Sequence, residues 1–378
     1  MQRSYEIEMP PRTYIGPGSL EKIIFDIRQK GKKRCLVVTD SFLAGSASGK
    51  KLKEVVAKAG AEAFLYEGVI PNPTLETVTK GVEMLVETRA DTIISLGGGS
   101  AHDCAKAIRL VAQKQKEGQN ISLLLIAVNT TAGTGSEVTK FAIITDEQQH
   151  RKMSLIDSLV LPDVAVNDAL LMVDMPPRLT AQTGMDALTH ALESYVSTGA
   201  NSFTRANASE AIRLIVSWLP QAYKDGKNVE ARDRMAYGQY LAGLAFSNSG
   251  LGMVHAMAHQ LGGLYNLPHG LCNAVLLPHV IEYNLSACRK EYGQVADLIF
   301  PGEYGGEAMK GKRLVRFLVQ LNQSLDIPEW LEIKEAKRED LQTLTKMAQE
   351  DPSLKCNPRQ PEAKEIEEIY EKIIKWRN

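Results

Sequence analysis

DTIISLGGGSAHDCAKAIRLVA, residues 91–112, runs from an apolar, β-branched segment through three glycines into a stretch of helical periodicity. A strand that turns on glycine into a helix is where open parallel sheets bind phosphate, because the backbone can approach the oxygens and the first helical amides point at them. The spacing is GGGS and not G-x-G-x-x-G, so the dinucleotide fingerprint itself is not met. A tight turn that simply needs glycine is the competing explanation of Gly97, Gly98, Gly99 and Ser100.

Outward from this stretch the same alternation repeats. A helix from about Ser19 leads to RCLVVTD (34–40), a helix through KKLKEVVAKAG (50–60) to EAFLYEG (62–68), and a helix through LETVTKGVEMLVE (75–87) back to residue 91. A further apolar strand, SLLLIAV (122–128), runs into the Gly- and Thr-rich loop NTTAGTGSE (129–137). YEIEM (5–9) and RTYIG (12–16) read as an edge ribbon. After Pro176 and Pro177 the strand signals stop, and helices follow, among them SEAIRLIVSWLPQAY (209–223) and EAKEIEEIYEKIIKW (362–376). The expected architecture is therefore α/β plus all-α: a Rossmann-like dinucleotide-binding domain over residues 1–178 and an all-helical domain over 179–378.

The bulk properties fit this reading. A chain of 378 residues exceeds what one core organises, so two domains sharing a cleft are expected. Its 44% hydrophobic and 24% charged content and net charge of -1 exclude a disordered chain and leave no field to gather nucleic acid or anionic lipid. Cys35, Cys104, Cys272, Cys288 and Cys356 form no C-x-x-C pair and are odd in number, which points to a reducing cytoplasm. MQRSYEIEMPPR lacks the apolar stretch of a signal peptide.

Asp40 stands at the carboxyl end of its strand, where it can accept from both ribose hydroxyls and would repel the 2′-phosphate of NADP; a helix cap is the plainer role for such an Asp. Five of the seven histidines fall between residues 190 and 279. Asp186 and His190 in MDALTHALESYVS, and His255 and His259 in GMVHAMAHQLGG, are at i, i+4 spacing, so each pair leaves one helix face. His269 lies in LPHG, where Pro268 and Gly270 shape a turn. One carboxylate with several imidazoles and no thiolate suits Fe(II), Zn(II), Mn(II) or Co(II). Four ligands suffice, so one histidine of the cluster is free for acid–base work.

In GGGSAHDCAK, NTTAGTGSEVTKFAIITD, TAQTGMDALTHALESYVS and GMVHAMAHQLGGLYNLPHGLCNAVLLPHV the chain resembles the iron-containing (group III) alcohol dehydrogenases over nearly its whole length. The resemblance implies that Asp186, His190, His255 and His269 ligate the metal and that His259 is the spare imidazole near nicotinamide and substrate. It implies NAD(H) held by Asp40 at the ribose and Gly97 to Ser100 at the diphosphate, with Asp103, Asn72, Thr130, Thr131, Thr134, Lys152 and Leu171 lining the rest. Fe(II) is the metal it favours, with Zn(II) as the other choice. A homodimer or larger homo-oligomer is expected as well. Ser353, Lys355 and Cys356 in SLKCNPRQ depart from the family stretch A-C-x-x-T-N-P-R, and Arg205 replaces an acid but lies too far along the chain from Asp186 to reach the metal.

The expected activity is metal-assisted hydride transfer between a short-chain alcohol or its aldehyde and NAD, with Lys355 raising a small polar or anionic aldehyde, such as sulfoacetaldehyde or lactaldehyde, as substrate. Glycerol-dehydrogenase-like and dehydroquinate-synthase-like enzymes on the same fold, and a non-catalytic metal-binding scaffold, are the rivals. Phe141 and Phe246 are candidate walls of an apolar substrate pocket.

Overall fold

The structure, a computed structural model, describes residues 4–115, 122–147, 151–302 and 305–376. It divides into two compact units: Glu8–Asp174, and Met175–Asn378 together with the described residues before Glu8.

The first unit is built on strands β1 (Arg12–Ile15), β2 (Arg34–Val38), β3 (Glu62–Tyr66), β4 (Thr92–Gly97), β5 (Leu124–Asn129) and β8 (Val164–Asn167), in the order β1-β8-β5-β4-β2-β3. Every pairing in this sheet is parallel. Helices α1 (Ile23–Gln29), α2 (Ser41–Gly45), α3 (Ala47–Lys58), α4 (Leu75–Glu87) and α5 (Gly99–Lys114) connect the strands. Strands β4 and β5 are buried along their whole length, as central strands covered on both faces must be. One apolar cluster joins Leu36, Ile93 and Leu125 to Val78, Val82 and Ile108 of α4 and α5. The other joins Val37, Ile94 and Ile126 to Leu20, Ile23, Ile27, Leu52 and Val55. Alternate residues of each strand thus serve opposite faces. A separate antiparallel hairpin pairs β6 (Phe141–Asp146) with β7 (Arg151–Ile156).

The sheet order sets the site. From β2 the chain moves outward to β3, then returns to β4 on the other side of β2 and continues toward β5. Strands β2 and β4 therefore flank the point where the winding reverses, and the crevice beyond their carboxyl ends is where ligands of open sheets bind.

The ribbon expected from YEIEM is not formed: no strand is assigned to residues 4–10, and RTYI alone joins the main sheet as edge strand β1 beside β8. Tyr5, Ile7 and Met9 are exposed, and the alternation that suggested a strand finds no partner strand among the described residues.

The second unit is a stack of helices: α6 (Pro177–Val196), α7 (Ser202–Lys224), α8 (Val229–Ser249), α9 (Met253–Tyr265), α10 (His269–Asn284), α11 (Arg289–Ile299), α12 (Glu307–Ser324), α13 (Asp340–Glu350) and α14 (Ala363–Ile373). Pro177 opens α6 at a position where its missing amide costs nothing. Asn201 and Thr204 close a reciprocal cap at the start of α7. Helix α6 is buried along nearly all of its length, packed against α7, α8 and α10, so polar groups on it need partners from those neighbours. Among the described residues no helix is long and apolar enough to cross a membrane.

Candidate functional site

The second unit gathers the imidazoles. Asp186 and His190 leave one face of α6, His255 and His259 one face of α9, and His269 is the first residue of α10. Asp186 is 2% exposed. Its Oδ1 lies 3.5 Å from Nε2 of His269, 3.6 Å from Nε2 of His255 and 3.8 Å from Nε2 of His190. Ligand atoms of Asp186, His255 and His269 all fall within 4.8 Å of one another. Three imidazole nitrogens converging on one carboxylate oxygen is the donor set a borderline divalent ion requires.

Local sequence explains the convergence. Helix α10 starts against α6 so closely that a Cβ on Gly270 would stand 2.3 Å from the Gln182 carbonyl oxygen, so only glycine lets His269 reach Asp186. His190 is stacked between Phe246, with ring centroids 4.3 Å apart, and His255, at 4.5 Å, which fixes its ring plane. Phe246 is thus a support for His190, and Phe141 lies in the other unit at the start of β6.

Burial by itself would push the Asp186 carboxyl up, but His190, His269 and His255 around it hold it well below the usual carboxylate range. Burial drives His269 well below the ordinary imidazole value, with crowding by His255, His259 and His190 acting in the same direction. A neutral imidazole is the form that ligates. Burial works against the charged form of His255 too, yet Glu193 and Asp186 together raise it to about 9.

Three residues not picked out from the sequence hold this arrangement. Glu193 Oε2 lies 2.5 Å from Nδ1 of His255, and its Oε1 accepts from the Val254 amide at 2.7 Å. A Cβ at Gly252 would meet Glu193 Oε1 at 2.9 Å, so that glycine lets the carboxylate reach the start of α9. Asn273 donates from Nδ2 to Asp186 Oδ1 at 2.6 Å, and the same nitrogen lies 3.1 Å from Nε2 of both His255 and His269. Asp351 Oδ2 lies 2.9 Å from Nδ1 of His259. A signal for Glu193 was present: Asp186, His190 and Glu193 fall at i, i+4 and i+7, one stripe of a helix. Asp351 lies 92 residues from His259, and sequence spacing carries no sign of it.

In the first unit the expected cofactor residues lie where the parallel strands end. Asp40 follows β2, Gly97 to Ser100 lie at the β4–α5 junction, Thr130, Thr131 and Thr134 follow β5, and Leu171 ends a short 3-10 turn after β8. Gly97 has φ 152°, the region open to glycine. A Cβ on Gly98 would stand 2.8 Å from Thr131 Oγ1, and one on Gly99 would stand 3.1 Å from Thr134 Cγ2. The glycine turn and the threonine loop therefore fit against each other, so the glycines are required sterically, and Gly98 stands at the N-terminus of α5.

Asp40 caps α2 with Oδ1, which accepts from the Leu43 amide at 2.9 Å. Asn72, with φ 55°, accepts from Lys152 Nζ at 3.0 Å, which brings the β3–α4 loop and β7 together. Asp103 uses both oxygens inside the unit, accepting from Ser136 Oγ at 2.7 Å and the Ile143 amide at 3.1 Å; burial pushes its carboxyl up. Its contacts brace the threonine loop. Arg205 lies on α7 facing Glu291 and Tyr195. Lys355 is exposed in the 3-10 turn Pro352–Cys356.

Comparison with known proteins gives matches over both units. Residues 10–169 match the model of the iron-containing alcohol dehydrogenases, and residues 180–374 match the C-terminal model of the Fe-containing alcohol dehydrogenase family. Alcohol dehydrogenase 4 of Saccharomyces cerevisiae is 42% identical over 97% of this chain and 98% of its own. The NAD-dependent methanol dehydrogenase of Bacillus methanolicus is 39% identical over 97% and 99%. Among solved structures, a 1,3-propanediol oxidoreductase superposes with a TM-score of 0.93 at 38% identity, covering 98% of this chain and 99% of that one.

Proposed function

This chain belongs to the iron-containing alcohol dehydrogenase family, and from that membership we propose that it interconverts a short-chain alcohol and its aldehyde, with NAD(H) bound by the first unit and a divalent ion held by Asp186, His190, His255 and His269. The observation that carries the metal assignment is the set of three imidazole nitrogens within 3.8 Å of Asp186 Oδ1. The donors fit Fe(II), with Zn(II) the alternative, since both accept mixed imidazole and carboxylate ligation.

Held by these four residues, an ion would supply Lewis-acid polarisation of the substrate oxygen. The chain's own residues do the rest. Asp186 and the three imidazoles supply one negative charge to a dication. Glu193 keeps the His255 proton on Nδ1, so that Nε2 faces Asp186. His259, one turn further along α9, stacks on His269 with ring centroids 5.3 Å apart and is the group we assign to accept the alcohol proton. In the first unit, Asp40 favours NAD over NADP through its charge, and the amides at the start of α5 take the diphosphate.

The experiment is to load purified protein with Fe(II) or Zn(II) and follow NADH absorbance with neutral and anionic two- and three-carbon aldehydes. Net NADH consumption is expected with one or more of them. Metal-loaded protein that gives no net change with any aldehyde or alcohol overturns the reading, and hydride returned to its own substrate would instead mark a lyase like dehydroquinate synthase. Equal rates on both sets would remove Lys355 from substrate selection.

A further inference from the structure

We propose that Asp351 is the positioning residue of the proton step, holding His259 with its proton on Nδ1 and leaving Nε2 as the acceptor; this rests on the assignment of proton transfer to His259. The geometry divides the two oxygens of Asp351. Oδ1 accepts from the Ser353 amide at 2.9 Å and so begins the 3-10 turn Pro352–Cys356. Oδ2 lies 2.9 Å from His259 Nδ1 and also accepts from Gln260 Nε2 at 3.1 Å. A carboxylate has no proton to donate, so the proton shared with the imidazole sits on Nδ1, and the lone pair is left at Nε2.

The ring is held on two sides, with the carboxylate at its edge and His269 stacked on its face at an interplanar angle of 13°. The side chain of His259 is 27% exposed and that of His255 1%, so of the two imidazoles on α9 only His259 can pass a proton to solvent. The same helix carries the comparison: His255 is turned through Nδ1 by Glu193, as His259 is by Asp351. In oxidation the alcohol O–H proton goes to His259 Nε2 while its C–H hydride goes to NAD⁺. The products are aldehyde, NADH and a protonated His259 that releases its proton to water. Reduction reverses each transfer.

Asp351→Asn tests this in the metal-loaded enzyme. The amide oxygen still caps the Ser353 amide, but an NH₂ now faces Nδ1, which must accept, and the ring proton moves to Nε2. The expected result is a loss of about 100-fold in kcat for alcohol oxidation, with KM, metal content and thermal midpoint unchanged. Asp351→Glu should recover part of the loss. Asp351→Ser, which can cap the turn but is too short to reach the ring, should reproduce it if the Asn variant folds poorly. Adding Asp351→Asn to His259→Ala should cost nothing beyond the loss from His259→Ala. Wild-type kcat in the folded Asn or Ser variant, or an equal loss in the His259→Ala background, overturns the role of Asp351 alone. Wild-type kcat in His259→Ala overturns the assignment of His259 and this proposal with it.

Discussion

Glu193 shares one carboxylate between a helix terminus and His255, one of the proposed ligands. Replacing it with Gln keeps an oxygen for the Val254 amide but loses the charge that fixes the His255 ring. Metal affinity of Glu193→Gln is therefore expected to fall by about 10- to 100-fold, the usual loss for an outer carboxylate, with helix content unchanged; competition with a chelator measures it. Gly270 is under a harder constraint. In Gly270→Ala the methyl meets the Gln182 carbonyl at 2.3 Å, so α10 must shift and take His269 with it. The expected cost is about 1–3 kcal/mol in denaturant unfolding, as for other overpacked sites, together with a measurable loss of bound metal. An affinity equal to that of the unaltered protein would show that His269 is dispensable.

At the scale of elements, the interlock between the β4–α5 turn and the threonine loop makes the proposed cofactor region sensitive to single methyl groups. Gly98→Ala would press on Thr131 Oγ1 at 2.8 Å. The dissociation constant for NADH is expected to rise about tenfold, equivalent to roughly 1.4 kcal/mol, while metal content stays level; fluorescence titration checks it. The parallel sheet was legible because each strand is a short apolar run bounded by turn residues, and the helical half because the strand signals stop at Pro176. YEIEM misled because alternation specifies a face but supplies no partner strand. In the site, Asp186, His190, His255 and His259 were legible because i, i+4 spacing is local. Asn273 and Asp351 were not, because their roles arise only when α10 and the segment after α13 pack near α9.

For the whole molecule, helix α5 sets a limit on acid stability. His102 is fully buried, with Nδ1 2.7 Å from Ser95 Oγ. Burial lowers it from 6.5 to about 3, with Lys106 adding to the effect. The unfolded chain therefore takes up a proton below about 6.5 that the folded chain refuses until about 3, and the stability tied to His102 is lost as pH falls through that window. The thermal midpoint is expected to drop between about pH 7 and about pH 5, and to drop less steeply in His102→Asn; parallel curves would show that other groups dominate.

The four proposed ligands lie on α6, α9 and α10, so an ion bound there also cross-links three helices. Binding to the folded chain alone adds stability as the logarithm of free metal over its dissociation constant, about 2.7 kcal/mol at a hundredfold excess. Metal supply would then govern abundance as well as rate: in a cell short of that metal, copies lacking the ion would open more often, meet proteases sooner and be cleared.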